Sequence, residues 1–371
     1  MNRQQLLSRL GSRAEILYST GVMSTWDRGW WRIWRVLRGG FERCDGVTLD
    51  RTPSWLVRVP SMRRLDECIV RMSVARWRRW LDAQGRASLV AYLFHPKFEP
   101  LIDALAPDFV VYHAYDMLSR TPGWDQWTEA QEARVLTRAD LVVASSDAIA
   151  AELQPRARVR VQVIGNGVDF GAFADAGGGE EPADLACVPR PRIGYVGRIN
   201  RKFDMDLLVA LARAHPEWHF VLVGPLVEMA PEHQSSLAVA RSLANVHFLG
   251  NKPREALPRY TAGLDVGLLC YRTMGAWTEG IYPLKLHEYL ACGLPVVSAD
   301  FPVARSFPTV VWIASSPEEW QDRIGAALAG QGPGDRGERI ATARANSWAH
   351  RAETLWEQIQ AMRAGHGHRL T

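Results

Sequence analysis

A lysine and a glutamate three residues apart open a short helical segment in the second half of the sequence. The segment covers residues 283–293 and contains Lys285 and Glu288. Proline suits the first helical position and glycine the residue just past the end, so Pro283 and Gly293 predict a helix of about ten residues between them. A carboxylate on the first turns of this helix can accept hydrogen bonds from both hydroxyls of a ribose. The lysine and the N-terminus of the helix would then face the phosphates. The same spacing is also typical of an ordinary surface ion pair.

A second candidate is the cationic turn Gly197-Arg198-Ile-Asn-Arg-Lys202, which follows one predicted strand and precedes a predicted helix. Ligands of doubly wound sheets bind outside the carboxyl ends of the strands, so Arg198 and Lys202 could add positive charge to a pyrophosphate. The alternative is a pair of solvent-exposed loop cations. The chain has four lysines against 40 arginines, and three of the four, Lys202, Lys252 and Lys285, lie in these candidate loops.

The elements that would position these residues are short apolar runs alternating with helical patterns. This arrangement predicts an α/β protein with parallel sheets buried on both faces. The strand candidates are 16–18, 89–93, 109–112, 141–144, 161–164, 192–196, 219–223, 246–249, 266–269, 295–298 and 310–313.

The length of 371 residues predicts two domains. A stretch poor in large apolar residues and rich in glycine places a linker at 171–190. We therefore expect a first domain over 1–170, a second over 191–347, and a terminal helix over 348–371 that either closes the second domain or crosses back to the first.

Composition excludes several classes of protein. With 47% hydrophobic and 23% charged residues, the chain is neither disordered nor collagen-like. Its five cysteines form no Cys-x-x-Cys pair, which favours a reducing cytoplasm. No apolar run approaches the roughly 20 residues that span a bilayer. We expect a cytoplasmic protein, either free or peripheral at the inner face of the membrane.

Positive charge and tryptophan concentrate in the first 90 residues, which hold 17 arginines against 8 acidic residues and 7 of the 15 tryptophans. Residues 28–38 form an amphipathic helical pattern, with Arg28, Arg32 and Arg35 on one face and Trp30 and Trp34 on the other. Such a helix suits an anionic membrane surface. The alternative is a surface helix whose tryptophans enter the core. Nucleic acid is a weaker third option, because no recognised binding motif accompanies the pattern.

Several motifs occur in a fixed order: Gly-Tyr-Val-Gly-Arg-Ile-Asn-Arg-Lys up to Lys202, Phe220-Val-Leu-Val-Gly-Pro, Asn245-Val-His-Phe-Leu-Gly, and Pro-Leu-Lys-Leu-His-Glu-Tyr-Leu-Ala-Cys-Gly from Pro283. This order resembles the donor-binding domain of GT-B glycosyltransferases. The resemblance is strongest to the family 4/1-like group that includes bacterial exopolysaccharide and teichuronic-acid-type transferases. With upstream motifs around His113, Ser146 and Asn166, it covers roughly residues 85–360.

The resemblance implies two Rossmann-like domains facing a cleft, with the donor on the second domain. Carried over residue by residue, it implies that Arg198 and Lys202, beside Gly197, contact the donor diphosphate. Glu288 would hold the ribose and Lys285 would lie beside the phosphates. The turn containing Asn251 and Lys252 would frame the base through backbone groups. His113 and Asp116 would face the transferred sugar and the acceptor.

The sequence departs from the family pattern in three ways. Many retaining members carry two glutamates eight residues apart, but Gly280 stands eight residues before Glu288 and Glu279 is one position off, so the first glutamate is absent or displaced. Phe203 replaces the glycine that usually follows the Lys202 motif. The chain opens with a helical pattern where the fold normally opens with a strand, so the sequence leaves open that the first strand is missing.

The chemistry expected from the resemblance uses no cofactor and no metal. Asp204-Met-Asp206 matches a metal-binding Asp-x-Asp by its letters, but it opens a helix, and cationic side chains can neutralise a leaving diphosphate instead. In an inverting reaction Asp116 would be the base. In a retaining one the departing phosphate oxygen would take the acceptor proton while His113 positions the sugar. The alternative for Asp116 is an N-cap or Asx turn.

The expected function is transfer of a sugar from a UDP- or GDP-sugar to a glycan or lipid-linked acceptor in bacterial surface polysaccharide synthesis. The expected partners are the nucleotide sugar, that acceptor and an anionic membrane surface, without nucleic acid. A sugar-nucleotide epimerase of the same fold and a non-catalytic GT-B homologue acting in an assembly remain the alternatives.

Overall fold

The computed structural model describes residues 2–19, 39–53, 56, 62–85, 88–121, 123–227, 234–272 and 276–367. Its contacts divide the chain into two compact units. The N-terminal unit comprises Met1–Ile164 and Ala352–Thr371, and the C-terminal unit comprises Gly165–Arg351. Among the described helices, none combines the length and apolar character needed to cross a bilayer.

The N-terminal unit alternates strands and helices, as the apolar runs predict. Its elements are α1 (Asn2–Leu10), β1 (Ile16–Ser19), β2 (Gly40–Cys44), β3 (Val47–Arg51), α2 (Arg63–Ala83), β4 (Val90–Leu93), α3 (Glu99–Leu105), β5 (Phe109–Ala114), α4 (Gln126–Arg138), β6 (Leu141–Ala144), α5 (Asp147–Leu153) and β7 (Val161–Val163).

Two sheets organise this unit. One has the order β1-β3-β2, with β1 parallel and β2 antiparallel to β3. The other has the order β4-β5-β6-β7 and is parallel throughout. The central strands β5 and β6 are almost entirely buried, because helices cover both faces of a parallel sheet.

The C-terminal unit follows the same alternation. Its elements are α6 (Phe170–Ala174), α7 (Ala183–Ala186), β8 (Arg192–Val196), α8 (Met205–Ala214), β9 (His219–Val223), α9 (Gln234–Ser242), β10 (Val246–Gly250), α10 (Leu257–Ala262), β11 (Val266–Leu269), α11 (Ala276–Glu279), α12 (Leu284–Ala291), β12 (Val296–Ser298), α13 (Pro302–Arg305), β13 (Val311–Ile313), α14 (Pro317–Leu328) and α15 (Arg336–Ala345).

Six parallel strands of the C-terminal unit form one sheet in the order β10-β9-β8-β11-β12-β13. The chain moves outward from β8 in one direction and from β11 in the other. This is the doubly wound Rossmann-type order, and the switch point between β8 and β11 is where such sheets bind ligands.

The division between the units differs from the predicted one. It falls after Ile164 instead of after residue 170, and segment 171–190 is not a linker, because it belongs to the C-terminal unit. This segment contains α7, whose Leu185 is completely buried in the core of that unit. Local composition gave no sign of this burial, since one apolar anchor suffices to hold a glycine-rich segment. The last helix, α16 (Trp348–Gly367), belongs to the N-terminal unit from Ala352 onwards.

Candidate functional site

The carboxyl ends of β8 and β11 lie side by side, since β8 pairs with β11 through Ile193 and Gly194. The loop after β8 begins at Gly197, and Cys270 and Tyr271 follow β11. Both ends therefore open at the switch point of the sheet, where the helix α12 also begins.

The backbone at Gly197 lies so close to the backbone at Gly224 that a side chain would not fit between them. Gly197 has φ +142°, and Gly224, after β9, has φ +140°. A Cβ on Gly224 would lie 2.1 Å from the carbonyl oxygen of Gly197. The Gly197 N–H donates to the carbonyl of Val223 at 2.8 Å. Two glycines thus let neighbouring loops touch at the strand ends.

Lys285 is held at this point by two tyrosine hydroxyls. Its Nζ donates to the hydroxyl of Tyr195 at 3.2 Å and to that of Tyr271 at 3.0 Å, and it lies 4.4 Å from the Tyr195 ring centroid. Burial acts to lower the pKa of Lys285, but the tyrosine oxygens outweigh it and the net direction is upward. Lys285 is therefore a fixed positive charge at the switch point.

Glu288 follows Lys285 by about one helical turn and is half-buried. Burial raises the pKa of Glu288 to about 7, against the opposing effect of the positive charges of Lys285 and Arg254. No hydrogen bond or ion pair joins its carboxylate to another residue within the described ranges. It is thus a carboxylate with acceptor capacity left for a ligand.

The helix that carries both residues is positioned by Tyr289. Its hydroxyl accepts from the Val196 N–H at 2.9 Å, and its ring lies where a Cβ on Gly267 would be, at 2.5 Å. The helix covers eight residues, Leu284–Ala291, instead of about ten, and Gly293, with φ +74°, lies just past its C-cap, Cys292. At the other end Pro283 is the N-cap and not the first helical residue, and it supplies no side-chain hydrogen bond. The first N–H groups of α12 are therefore open to an anion.

The predicted diphosphate residues Arg198 and Lys202 lie on the loop after β8. Arg198 is exposed and Lys202 half-buried. Asn200 shapes this turn, because its Oδ1 accepts from the Lys202 N–H at 3.0 Å. Phe203 occupies the position at which a glycine was expected and is fully buried against Tyr195. Its side chain thus supports the tyrosine that holds Lys285.

In the turn after β10, the side chain of Lys252 does not take the role that its grouping with Lys202 and Lys285 in the sequence suggests. Asn251 is exposed. The Lys252 ammonium pairs with Asp184 at 2.6 Å, and the Tyr260 hydroxyl donates to the same carboxylate at 2.6 Å. Contact with Asp184 raises the pKa of Lys252. The side chain of Lys252 is thus committed to α7, although its backbone stays in the turn.

The displaced glutamate and the Asp-x-Asp letters can also be placed. Glu279 ends α11 and is exposed, while the adjacent Gly280 is buried. Asp204 caps α8 by accepting from the Leu207 N–H at 3.0 Å, and Asp206 pairs with Arg272. Within the described part of the chain, no three His, Cys, Asp or Glu side chains come together as metal ligands would.

The two predicted catalytic residues lie in the N-terminal unit. His113, on β5, is buried, and its Nδ1 lies 2.7 Å from the Tyr92 hydroxyl. Burial lowers the pKa of His113 to about 4, so the imidazole is neutral near pH 7. Asp116 follows β5 and is half-buried, and its Oδ1 accepts from the Met117 N–H at 2.9 Å. This bond is to the next residue, whereas the N-cap or Asx turn of the alternative reading needs the N–H two or three residues further on. The helical turn at Leu118–Arg120 has Met117 as its N-cap, with no side-chain cap hydrogen bond.

The predicted membrane face lies outside the described residues. It comprises Arg28, Trp30, Arg32, Trp34 and Arg35. Sequence reasoning missed three residues in the C-terminal unit, namely Tyr195, Tyr271 and Arg254. For the two tyrosines, the available signal was their position within or just after a strand at the predicted switch point.

Comparison with known proteins agrees with this geometry. Residues 190–329 match the family described as glycosyl transferases group 1. The matched segment, which we call the group 1 segment, covers 140 of the 371 residues. It lies entirely in the C-terminal unit and contains the switch point, Lys285 and Glu288.

One curated relative extends the similarity beyond the group 1 segment. It is TuaH of Bacillus subtilis (strain 168), described as a candidate teichuronic acid biosynthesis glycosyltransferase. The two are 26% identical over 256 residues, covering 59% of this chain and 63% of the relative. The match thus spans less than two thirds of the relative's length.

Solved structures show the fold. Sucrose-phosphate synthase from Thermosynechococcus elongatus has a TM-score of 0.69 at 18% identity, covering 98% of this chain and 93% of its own. Anabaena Alr3699/HepE in complex with UDP has a TM-score of 0.64 at 18% identity, covering 85% and 86%. Its complex with UDP-glucose gives 0.59 at 19% identity, covering 73% and 78%. The chain thus has a GT-B fold.

Proposed function

We propose that the protein is a glycosyltransferase that moves a sugar from a UDP- or GDP-sugar to a glycan or lipid-linked acceptor in bacterial surface polysaccharide synthesis. The observation that carries the proposal is the Lys285 ammonium, which two tyrosines hold at the carboxyl ends of β8 and β11. Glu288 follows it on the same helix. The TuaH relative and the UDP-bound HepE structures support this assignment.

The donor fits these groups in order along α12. Lys285 and the open N–H groups of the first turn oppose the diphosphate charge, and Arg198 and Lys202 add positive charge from the loop after β8. The Glu288 carboxylate accepts hydrogen bonds from the ribose hydroxyls. Asn251 borders the base through backbone groups of its turn. Cationic side chains and backbone N–H groups stabilise the leaving diphosphate, so the proposed reaction needs no metal and no cofactor.

The acceptor side is assigned to the N-terminal unit. A neutral His113, fixed by Tyr92, would position the transferred sugar. If the reaction inverts the anomeric centre, Asp116 would take the proton of the acceptor hydroxyl. If it retains, the departing phosphate oxygen would take that proton.

A panel of nucleotide sugars tests the donor assignment. UDP-, GDP-, ADP- and TDP-sugars are compared for protection against thermal unfolding, and the best is then assayed for nucleoside diphosphate release, with and without EDTA. Lys285→Met should remove the protection, whereas Lys252→Met, which breaks an ion pair at α7, should keep most of it. Protection by none of the sugars would contradict the proposal. Sugar isomerisation without diphosphate release would indicate an epimerase, and binding without turnover on any glycan would indicate an assembly subunit.

The membrane part of the proposal is carried by sequence alone, through Arg28, Arg32 and Arg35 with Trp30 and Trp34. Flotation with vesicles that contain anionic lipid should be lost when the three arginines are changed to glutamate. Changing Arg63, Arg64 and Arg71 to glutamate is the matched control for net charge. Equal flotation of both variants would contradict this assignment.

A further inference from the structure

Arg3, in the first turn of α1, lies at the carboxyl ends of three strands of the N-terminal unit. Its guanidinium donates to the Tyr18 hydroxyl at 3.4 Å and to the Tyr115 hydroxyl at 3.4 Å. Its Cζ also lies 5.6 Å from the Phe94 ring centroid. Tyr18 is the third residue of β1, while Phe94 and Tyr115 directly follow β4 and β5. The carboxyl ends of strands are the edge at which open α/β sheets bind ligands.

The positive charge of Arg3 has no acidic partner among the residues that the structure describes. Both of its hydrogen bonds go to neutral hydroxyls, and 3.4 Å is long for an N–H···O bond. Arg156 in the same unit, by contrast, pairs with the carboxylate of Glu132 at 2.9 Å. Since a guanidinium has five N–H donors, Arg3 retains donors for an anion.

Aromatic rings hold this guanidinium in a fixed position. Its Cζ lies 4.9 Å from the Tyr115 ring centroid, and the rings of Tyr115 and Phe94 are both within cation–π range. Phe94 is buried, and the Tyr115 carbonyl accepts from the Ser145 hydroxyl at 3.0 Å, so both rings are anchored. Arg3 and the two tyrosines are only half-buried. The guanidinium is therefore preorganised at a surface that a ligand can reach.

The groups around Arg3 fit an acidic sugar. A planar guanidinium binds a carboxylate or a phosphate through two parallel hydrogen bonds. Tyr18 and Tyr115 each add an apolar ring and a hydroxyl, and a sugar likewise has apolar C–H faces and a rim of hydroxyls. A neutral sugar would leave the charge of Arg3 uncompensated, whereas an acidic group on the sugar neutralises it. The site therefore discriminates between acidic and neutral sugars.

This group of residues adjoins the histidine that we assign to the transferred sugar. The ring centroids of Phe94 and His113 are 5.5 Å apart. Tyr92, whose hydroxyl lies 2.7 Å from Nδ1 of His113, also packs against Phe94 with 4.9 Å between ring centroids. The Phe94 ring thus contacts the guanidinium of Arg3 on one side and the His113–Tyr92 pair on the other.

We propose that Arg3, Tyr18 and Tyr115 bind an acidic sugar of the acceptor, whose carboxylate or phosphate is held by Arg3. This site rests on the proposed function, which assigns the acceptor to the N-terminal unit. It restricts the acceptor to a saccharide that carries negative charge. The proposed donor site, on the C-terminal unit, uses none of these three residues.

Four small probes test the site on the full chain, without donor, by ligand-observed NMR titration. They are methyl β-D-glucuronide, glucose 6-phosphate, the neutral methyl β-D-glucoside and inorganic phosphate. At least one acidic sugar should bind at least about tenfold more tightly than the glucoside and than phosphate, and the tighter one identifies the acidic group. Binding of the glucoside as tightly as both acidic sugars would overturn the proposal. Binding of inorganic phosphate as tightly as the better acidic sugar would overturn it too, since the site would then recognise no sugar.

Arg3→Met should weaken binding of the tighter acidic sugar by at least about tenfold and leave the glucoside within about twofold of the parent. The matched control is Arg43→Met, because the exposed Arg43 already pairs with Glu15, and it should bind both sugars like the parent. Thermal protection by the best nucleotide sugar should be the same in both variants, which shows that each is folded. Unchanged binding of the acidic sugar in Arg3→Met, or equal weakening of both sugars, would overturn the proposal.

The donor panel separates failure of this site from failure of the proposed function. If a nucleotide sugar protects the parent but neither acidic sugar binds more tightly than the glucoside, the acidic-sugar site alone is contradicted. If an acidic sugar binds through Arg3 but no nucleotide sugar protects the protein, the sugar site remains and the transfer reaction is contradicted.

Discussion

The Lys285 ammonium occupies the space in which a side chain on Gly197 would begin. A Cβ on Gly197 would lie 3.0 Å from both Cε and Nζ of Lys285, and Gly197 also has φ +142°. The same ammonium contacts the hydroxyls of Tyr195 and Tyr271. The glycine and the lysine are therefore one structural unit, since a side chain at 197 would move the charge away from its acceptors.

Gly197→Ala should weaken binding of the best-protecting nucleotide sugar by at least about tenfold. It should also lower the free energy of unfolding by about 1–3 kcal/mol, because alanine is strained at this φ and crowds Lys285. Calorimetric titration and urea unfolding measure the two effects. The control is Gly171→Ala, since a Cβ at Gly171 meets no atom within 4 Å. If Gly197→Ala binds the nucleotide sugar as tightly as the parent, the position of Lys285 does not determine donor binding.

Tyr271→Phe removes one acceptor of the buried ammonium and should cost about 1–3 kcal/mol of unfolding free energy. Nucleotide affinity should also change, because Lys285 loses part of its positioning. Tyr260→Phe is the comparison, as it removes a hydrogen bond to Asp184 away from Lys285. It should lower stability and leave nucleotide affinity within about twofold of the parent. Equal effects of both variants on affinity would show that Tyr271 acts only through stability.

Glu288 should make both stability and donor binding depend on pH. Burial raises the pKa of Glu288 from 4.5 to about 7, so the folded protein holds this proton more tightly than the unfolded chain does. The resulting stability is full below about pH 4.5 and is lost as pH rises to about 7. As pH rises across this range, the free energy of unfolding of the parent should decrease by up to about 3 kcal/mol more than that of Glu288→Gln.

Donor affinity should change in the opposite direction, because in the proposed donor site the carboxylate form of Glu288 accepts hydrogen bonds from the ribose hydroxyls. Affinity of the parent should rise towards about pH 7, while Glu288→Gln binds weakly at every pH. Urea unfolding and calorimetric titration across this range test both statements, with the exposed Glu255→Gln as control. A pH-independent difference between parent and Glu288→Gln would contradict the raised pKa.

His113 should contribute to loss of stability in acid. Burial lowers the pKa of His113 from 6.5 to about 4, so protonation favours the unfolded chain. The stability it provides is full above about pH 6.5 and is lost as pH falls to about 4. As pH falls between these values, the free energy of unfolding of the parent should decrease by up to about 3 kcal/mol more than that of His113→Gln. The exposed His350→Gln should follow the parent, and urea unfolding at both ends of the range decides the result.

Much of the fold could be predicted because buried parallel strands are continuous apolar runs. All eleven predicted strands are present, with bounds shifted by up to two residues. The missed hairpin is β2 and β3. Strand β2 is mostly exposed and reads Gly-Phe-Glu-Arg-Cys, so it lacks an apolar run. Its turn at Asp45 and Gly46, both at positive φ, was the available signal.

The site was predictable where it depends on spacing within one helix and not where it depends on topology. Lys285 and Glu288 share a helix, so their proximity follows from the sequence. Tyr195 and Tyr271 meet Lys285 only because β8 and β11 are neighbours in the sheet. Lys252 was grouped with Lys285 by residue type, yet it pairs with Asp184, because the supposed linker folds against α10.

Tyr289 sets a limit for anyone who redesigns sugar specificity in this scaffold. Its hydroxyl and ring lock α12 onto β8 and β11 at Val196 and Gly267. Substitutions at Tyr289 or at Gly267 beneath it would disturb this packing. Diversity is better placed at an exposed loop position such as Asn251, where a new side chain meets solvent without disturbing the anchored helix.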